Sequence, residues 1–253
     1  MQIKHLSDIA LNFDAMLIDQ FGVIHDGQKL YPGALSVLEQ LHDRKIPVVV
    51  MTNSGKRADL NIARLLKIGL ARNLFVDAIS SGEVAYASIA GKRAYLIGKR
   101  GEEYGFDGVE FVPSLAEAEI ILVLGSNAPE TSIAEYEVLL RSTRLPMVCC
   151  NPDMLMMTPQ GLQPAPGAIA KTYAQLGGEI TWIGKPYPEI YCAAMNLLGW
   201  PKRVLCIGDS AEHDVAGGKL ADLTTLLVLT GISEGREIRT MVPQPDYWMS
   251  DFT

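Results

Sequence analysis

The sequence predicts an α/β protein built on a parallel, Rossmann-like sheet, and three observations support this prediction. Apolar runs of strand length alternate with segments of helical period along much of the 253-residue chain. The runs are continuously apolar, as expected for strands that are buried on both faces of a parallel sheet. One helical segment carries Leu35, Leu38 and Leu41 at a spacing of three, which indicates a single buried face.

The individual elements follow in order from this pattern. The N-terminal part alternates strand and helix twice, at residues 15–18, 34–41, 47–51 and 56–68. The alternation resumes near the C-terminus, again beginning with a strand, at residues 180–183, 189–198, 204–207, 214–221 and 224–229. Units of this kind join through right-handed crossovers into one parallel sheet.

The middle of the chain has its own series of strands and helices. Strands are predicted at residues 94–97, 120–124 and 147–150, and helices at residues 132–142 and 167–176. The core pattern breaks off before this block and resumes after it. We therefore predict a second α/β domain, residues 83–179, inserted into a core domain made of residues 1–82 and 180–253.

The charge distribution argues against a nucleic-acid partner. The formal net charge is -7, and the 22 Lys and Arg residues are scattered along the chain without a basic run. Binding to a phosphate backbone requires clustered basic residues, which are missing from this sequence. A small anionic substrate stays compatible with the sequence, because a local cation or metal ion can outweigh the net charge.

The sequence also predicts a cytoplasmic protein with no membrane partner. Residues 1–11 lack the positively charged start and continuous apolar run of a signal peptide. No stretch approaches the roughly 18 apolar residues that span a bilayer. The four cysteines lie in or beside apolar segments without the spacing of metal ligands, so we expect reduced thiols.

Polar residues follow several predicted strands at their carboxyl ends, which is where open parallel sheets bind ligands. Asp19 and Thr52 follow the first two strands, Lys185 and Asp209 follow two later ones, and Asp214 comes shortly after Asp209. Each of the acidic residues and the threonine, taken alone, could simply cap the next helix. Together, these groups can bind a divalent cation through oxygen atoms and offset the charge of a phosphoryl group.

The order of these residues resembles motifs one to four of the haloacid dehalogenase (HAD) superfamily. The four motifs are carried by Asp19, Thr52-Asn53, Lys185, and Gly208-Asp209 with Asp214. Further stretches resemble subclass IIA, which has a C2-type cap inserted between motifs two and three: Gly22-Val23, Tyr31-Pro32-Gly33, Ser80-Ser81-Gly82, Asn151-Pro152-Asp153 and Gly184-Lys185-Pro186. The resemblance extends from Phe13 to Phe252.

The resemblance implies a magnesium-dependent phosphatase that acts on a small phosphorylated metabolite. Members of the subclass include sugar, nucleotide, glycerol and p-nitrophenyl phosphate phosphatases. Capped relatives often dimerise through the cap, so a homodimer is compatible with the resemblance, although the sequence itself does not determine the oligomeric state.

The resemblance also implies how the metal would be held. Asp19 would be the nucleophile that forms an aspartyl-phosphate. Its carboxylate, the carboxylate of Asp209 and the backbone carbonyl of Phe21 would bind Mg²⁺. Asp214 would orient a metal-bound water or a neighbouring lysine, and Ser210 would bind a metal-bound water. Helix capping is the alternative for both Asp214 and Ser210.

The phosphoryl group would be bound by residues from motifs two and three. Thr52 would donate its hydroxyl to a phosphoryl oxygen, helped by the backbone amides of Asn53 and Ser54 where the next helix opens. Lys185 would offset the phosphoryl charge and reduce its repulsion by Asp19. A solvated surface lysine is the alternative for Lys185.

Phe21 departs from the family pattern. Phosphatases of the superfamily carry a second aspartate two residues after the nucleophile, which protonates the leaving alkoxide. A phenylalanine side chain cannot transfer a proton, and losing such catalysis typically costs about 10²–10⁴-fold in rate. His25 and Asp26 lie on the following loop and are candidates for a replacement acid, and His25 is the better suited of the two because a histidine titrates near neutral pH.

Three hypotheses therefore remain open from the sequence. The first is a phosphatase with a displaced acid, or one restricted to phosphates that leave readily without a proton. The second is another reaction of an aspartate nucleophile, such as dehalogenation, although the retained Asp209 argues for a metal. The third is a catalytically poor protein that binds or senses a phosphorylated metabolite.

Overall fold

The structure is a computed structural model that describes residues 1–158 and 160–253. Its strands are β1 (Ala15–Asp19), β2 (Val48–Thr52), β3 (Asp77–Ser80), β4 (Arg93–Ile97), β5 (Glu110–Phe111), β6 (Ile120–Val123), β7 (Met147–Cys149), β8 (Leu155–Thr158), β9 (Gly161–Pro164), β10 (Ile180–Trp182), β11 (Val204–Gly208), β12 (Thr224–Val228) and β13 (Tyr247–Met249). Its α-helices are α1 (Ala34–Asp43), α2 (Ala58–Lys67), α3 (Ser81–Ile89), α4 (Ile133–Leu140), α5 (Pro166–Gln175), α6 (Pro188–Leu198) and α7 (Ala216–Leu220). A π-helical turn at Ala211–Val215 directly precedes α7. None of the helices in residues 1–158 and 160–253 combines the length and the apolar composition that a bilayer span requires.

The chain divides into two compact units. The first unit contains Met1–Thr52, Asn61–Ile79 and Lys185–Thr253, and the second contains Asn53–Leu60 and Ser80–Gly184. Each unit has its own sheet and its own α-helices, so the predicted α/β class is confirmed.

The first unit is built on a six-stranded sheet in the order β13-β12-β11-β1-β2-β3. β1 pairs in parallel with both β11 and β2, which makes it a central strand. Every residue of β1, β2 and β11 is buried, as the continuously apolar runs predicted. The carboxyl ends of these three neighbouring strands therefore lie side by side at one edge of the sheet.

The buried face of α1 differs from the predicted one. The buried residues are Ala34, Val37, Leu38 and Leu41, whose spacing follows the helical repeat i, i+3, i+4 and i+7. Leu35 is 36% exposed because it lies about 100° around the helix from Ala34. Leucines at a strict spacing of three drift off a single helical face, so Leu35 did not belong to the core.

The second unit contains a five-stranded sheet in the order β10-β7-β6-β4-β5, with parallel pairing throughout the named strands. An antiparallel hairpin of β8 and β9 adds a separate two-stranded sheet. The strand at Ile180–Trp182 pairs with β7, from Ile180 opposite Met147 to Trp182 opposite Cys149. This strand lies in the second unit, whereas the second part of the predicted core domain began at residue 180. The difference arises because an apolar run in the sequence does not show which sheet the strand joins.

Candidate active site

Three carboxylates meet at the carboxyl edge of the first unit's sheet. Asp19 is the last residue of β1, and Asp209 directly follows β11, the parallel neighbour of β1. Asp214 lies in the π-helical turn after β11. One ligand atom from each of the three carboxylates lies within 4.8 Å of the others, and all three residues are buried. The parallel register therefore brings together residues that are almost 200 positions apart in the sequence.

Lys185 lies among these carboxylates and pairs with two of them. Its Nζ is 2.8 Å from Oδ1 of Asp19 and 2.7 Å from Oδ1 of Asp214, and the lysine is almost fully buried. Burial by itself would lower the pKa of Lys185, but the charges of Asp19 and Asp214 raise it well above its ordinary value. Lys185 is therefore a buried ammonium group, and not the solvated surface lysine of the alternative interpretation.

Backbone amides fix the orientation of the carboxylates. Oδ1 of Asp19 accepts from the backbone N–H of Gln20 at 2.8 Å. Oδ2 of Asp209 accepts from the backbone N–H of Ile232 at 2.7 Å, and Oδ2 of Asp214 accepts from that of Ser210 at 3.1 Å. Hydrogen bonds of this kind hold charged groups in place before a ligand binds, which is how preorganised sites are built.

Asp214 and Ser210 are joined to each other at the start of the π-helical turn. Both oxygens of Asp214 have partners, since one pairs with Lys185 and the other accepts from Ser210. Ser210 caps the π-helical turn by accepting from the backbone N–H of His213, and its hydroxyl also lies 3.0 Å from Nδ1 of His213. The capping alternative therefore describes what Ser210 does in this structure.

Two glycines enclose the carboxylate of Asp209, and one of them was missed in the sequence. A Cβ atom on Gly22 or on Gly231 would lie 1.9 Å from Oδ2 of Asp209, and both residues have positive φ angles. Gly22 belongs to the Gly22-Val23 stretch that resembles subclass IIA. The segment from Gly231 to Ile232 carries no signal in the sequence, and only the position of β12 beside β11 brings it to Asp209.

The donor set at this edge fits a divalent cation. Three carboxylates face one ammonium group, so the ionised cluster carries two more negative than positive charges. Burial, followed by the charges of Asp19 and Asp214, raises the pKa of Asp209 well above its ordinary value. Carboxylate oxygens are the ligands that Mg²⁺ prefers, and a divalent cation would offset the excess charge.

Phe21 presents an aromatic ring where the family places its second aspartate. The ring is 37% exposed and packs edge-on against His25 at a centroid distance of 4.3 Å. The guanidinium group of Arg64 lies 5.3 Å from the ring centroid. The Phe21 ring therefore contacts a histidine and an arginine, and neither of these two residues carries a carboxylic acid.

The surroundings of His25 do not favour the role of replacement acid. Its side chain is buried, and its Nδ1 accepts from the backbone N–H of Gly27 at 2.9 Å. Burial, and then the positive charge of Arg64, lowers the pKa of His25 to about 4. A histidine with this pKa is neutral at pH 7, whereas a general acid works best with a pKa near the operating pH.

Thr52 ends β2, next to the end of β1, and is buried. Its Oγ1 accepts from the side-chain amide of Gln20 at 2.9 Å, and the same amide nitrogen donates to Oδ1 of Asn61 at 3.1 Å. Sequence reasoning assigned no role to Gln20 or Asn61.

Asn53 and Ser54 directly follow Thr52 in the chain and belong to the second unit. Nδ2 of Asn53 donates to Oδ1 of Asp153 at 2.8 Å. The backbone carbonyl of Ser54 accepts from the N–H of Gly82 at 3.1 Å. The predicted binding of a phosphoryl group by their backbone amides remains a prediction.

Comparisons with known proteins identify the family. Residues 16–138 match the family model described as haloacid dehalogenase-like hydrolase, and residues 182–253 match one described as HAD-hyrolase-like. The chain is 30% identical to the dihydroxyacetone phosphatase of Corynebacterium glutamicum (strain R) over 243 residues, which cover 91% of this chain and 86% of that protein.

Solved structures agree with this assignment. A haloacid dehalogenase-like hydrolase from Brucella suis 1330 superposes with a TM-score of 0.89 at 26% identity and covers 99% of this chain and 100% of its own. The p-nitrophenyl phosphatase from Archaeoglobus fulgidus has a TM-score of 0.75 at 25% identity and covers 94% of this chain and 96% of its own. The resemblance to the subclass IIA phosphatases is thus confirmed, and the chain belongs to the haloacid dehalogenase-like hydrolases.

Proposed function

We propose that this protein is a magnesium-dependent phosphatase that hydrolyses small phosphorylated metabolites through an aspartyl-phosphate at Asp19. The observation that carries the proposal is the buried cluster of Asp19, Asp209 and Asp214 around the ammonium group of Lys185. Its relatives support the reaction class, because phosphatases are among the proteins that resemble this chain along most of its length.

In the first step, a carboxylate oxygen of Asp19 attacks phosphorus while the bond from phosphorus to the ester oxygen breaks. The electron pair of that bond leaves with the organic group, and a phosphoryl–aspartate bond forms. Lys185 offsets negative charge on both the nucleophile and the phosphoryl oxygens, which would otherwise repel each other. Water then attacks phosphorus and the phosphoryl–aspartate bond breaks, which restores the carboxylate of Asp19, and the protons of the water pass to inorganic phosphate and to the solvent.

Asp19 and Asp209 are the carboxylates that would hold Mg²⁺, with the backbone carbonyl of Phe21 as a third ligand. When bound, the ion supplies positive charge that stabilises the phosphoryl group as it transfers. Asp214 would keep Lys185 in place, because its second oxygen is tied to the backbone of Ser210.

The side chain of Phe21 limits which substrates would react quickly. Without a carboxylic acid at this position, the leaving oxygen must depart as an anion or take its proton from water. Aryl and acyl phosphates tolerate this because their leaving groups are weak bases, whereas alkyl phosphates lose the usual contribution of about 10²–10⁴-fold from acid catalysis. We therefore expect a phosphatase that prefers good leaving groups.

The environment of His25, beside Phe21, favours a second candidate function, that of a binding protein with little activity. The pKa of His25 is lowered to about 4 by burial, so the nearest candidate for a replacement acid would be unprotonated at neutral pH. If no other acid reaches the leaving oxygen, the protein would bind a phosphorylated metabolite and turn it over slowly. Such a protein would serve as a binding or sensing protein on the same fold.

One set of assays separates these functions. The wild type, Asp19→Asn and Phe21→Asp are compared on p-nitrophenyl phosphate, acetyl phosphate and alkyl phosphates, with Mg²⁺ and with a chelator. The phosphatase proposal predicts turnover of the first two substrates only with Mg²⁺, its loss in Asp19→Asn, and faster alkyl ester hydrolysis in Phe21→Asp. Phosphate binding without turnover would favour the binding protein, and chloride release from a haloacid without Mg²⁺ would favour dehalogenation.

A further inference from the structure

Gln20 is a fully buried amide at a position where an apolar side chain would pack without needing partners. It directly follows Asp19 and has no measurable exposure to solvent. Burying an amide is unfavourable unless its polar atoms are hydrogen-bonded. Here the amide nitrogen donates to Oγ1 of Thr52 at 2.9 Å and to Oδ1 of Asn61 at 3.1 Å. The Oε1 atom of Gln20 is buried without a hydrogen-bond partner among the described residues.

We propose that Gln20 is a positioning residue that turns the hydroxyl of Thr52 into a hydrogen-bond donor for the phosphoryl group. This inference rests on the proposed function, in which Thr52 contacts a phosphoryl oxygen. A hydroxyl has one hydrogen to donate and two lone pairs that accept. Because Gln20 donates to one lone pair, the hydrogen of Thr52 must point away from Gln20, and the rotation of the hydroxyl is restricted.

Asn61 holds the amide of Gln20 in this orientation. It lies in α2, is buried, and presents its side-chain carbonyl to the same nitrogen of Gln20. A nitrogen with two hydrogens can serve both acceptors, whereas the carbonyl oxygen of Gln20 would face the carbonyl oxygen of Asn61 if the amide were reversed. The carbonyl oxygen of Asn61 therefore favours one amide orientation, the one that donates to Thr52.

Gln20 also connects Thr52 to the nucleophile. Its backbone N–H donates to Oδ1 of Asp19 at 2.8 Å, while its side chain reaches Thr52. In the register of β1 and β2, Asp19 lies opposite Met51. The next residues, Gln20 and Thr52, therefore lie side by side at the ends of these two neighbouring strands. A single residue thus fixes both the carboxylate that attacks phosphorus and the hydroxyl that would bind a phosphoryl oxygen.

A double-mutant cycle tests whether Gln20 acts through Thr52. Gln20→Met removes the amide at similar volume, Thr52→Val removes the hydroxyl at similar shape, and the third variant combines them. The readout is the dissociation constant of inorganic phosphate measured by calorimetry with Mg²⁺ present, together with kcat and KM on p-nitrophenyl phosphate. When Thr52 is present, we expect Gln20→Met to weaken phosphate binding roughly 3- to 10-fold, which corresponds to the loss of one well-directed hydrogen bond. In the Thr52→Val background, the same substitution should leave phosphate binding unchanged.

Thr225→Val is the matched control for loss of a buried hydrogen bond. Thr225 is a buried threonine of β12 whose hydroxyl donates to Asp246 at 2.7 Å. This control variant should lower the melting temperature and leave phosphate binding unchanged. Asn61→Leu provides a second variant if Gln20→Met does not fold, and it should weaken phosphate binding in the same direction by freeing the Gln20 amide.

Each outcome decides between the proposals. A loss of the same size from Gln20→Met with and without the Thr52 hydroxyl would overturn the role of Gln20, as would no loss in either background. If phosphate binding shows the coupling and no ester is hydrolysed, Gln20 still positions Thr52, and only the proposed enzymatic activity is rejected. Failure of the wild type to bind phosphate at all would overturn both proposals.

Discussion

The Nζ of Lys185 lies 2.8 Å from Oδ1 of Asp19, and both side chains are almost completely removed from solvent. Asp19, the proposed nucleophile, is therefore ion-paired in the free protein. In the proposed reaction, this pairing would reduce the repulsion between Asp19 and an anionic phosphate ester, and the second pair with Asp214 would hold the lysine in place. Removing the lysine would leave the buried carboxylates without their positive partner.

We predict that Lys185→Met strongly destabilises the metal-free protein. Losing one partner of a buried ion pair costs about 3–5 kcal/mol, because the charge left behind is uncompensated. Urea denaturation in the presence of a chelator measures the change in unfolding free energy, and added Mg²⁺ should recover part of the loss. The control is Lys219→Met, which removes a surface pair with Asp246 and should cost no more than about 1 kcal/mol. Equal effects of the two substitutions would contradict the prediction.

We predict that Gly231→Ala weakens Mg²⁺ binding at least about 10-fold, as is typical when a group supporting a metal ligand is displaced. A Cβ atom at this position would lie 1.9 Å from Oδ2 of Asp209, so the carboxylate must move. Gly235→Ala is the matched control, since Gly235 also has a positive φ angle but a Cβ there meets nothing within 4 Å. Calorimetric titration with Mg²⁺ compares the two, and comparable losses would show that backbone strain alone is responsible.

The sequence predicted that Asp19 and Asp209 would lie close together, because both positions follow from local pattern, whereas Lys185 follows a strand of the other unit's sheet. Asp19 and Asp209 each come at the end of a continuously apolar run, and such runs identify parallel strands. Once the strands are parallel neighbours, their carboxyl ends must lie at the same edge of the sheet. Asp19 could therefore be placed near Asp209 without coordinates.

Other parts of the site depend on packing between distant segments, which no local pattern encodes. Gly231 approaches Asp209 only because β12 lies beside β11. Gln20 and Asn61 are 41 positions apart and meet because α2 packs next to the end of β1. The sheet to which β10 belongs was also not readable, since three residues of mixed burial fit either domain. Strand pairing and helix packing determine where Gly231, Asn61 and β10 lie.

We predict that the ion pair of Arg57 with Glu83 stabilises the second unit in a pH-dependent manner. Arg57 donates two hydrogen bonds to Glu83 at 2.6 and 2.9 Å, and these lower the pKa of the Glu83 carboxyl. A carboxyl group whose pKa is lower in the folded than in the unfolded state stabilises the fold above its unfolded pKa. That stabilisation disappears as the pH falls through the folded pKa.

Melting temperatures measured from pH 7 down to about pH 3 check this prediction, because the range spans the titration of a glutamate. At pH 7 the wild type should melt above Glu83→Gln, and the difference should shrink steadily toward the acidic end. Glu237→Gln serves as the control, because its pair with Arg239 is highly exposed and should contribute little at any pH. A difference between the wild type and Glu83→Gln that is independent of pH would count against the ion pair.

We predict that the stabilities of the wild type and Asp209→Asn exchange order when the metal is removed. With saturating Mg²⁺, the wild type gains binding free energy, about 2.7 kcal/mol at a hundredfold excess over the dissociation constant. Asp209→Asn removes a proposed metal ligand and should gain much less. In a chelator, the buried cluster of the wild type carries uncompensated negative charge, which the asparagine relieves.

Thermal melts of both proteins with Mg²⁺ and with a chelator give the four values needed. The wild type should melt above Asp209→Asn with Mg²⁺, and at or below it in the chelator. Asp14→Asn is the control, because Asp14 pairs with Arg203 on the surface and its replacement should leave the shift caused by Mg²⁺ intact. If Asp209→Asn showed the full Mg²⁺ shift of the wild type, the ion would have to bind elsewhere. The carboxylate cluster would then have a structural role only, and its negative charge would have to be balanced by Lys185 and by protonation instead of by a metal ion.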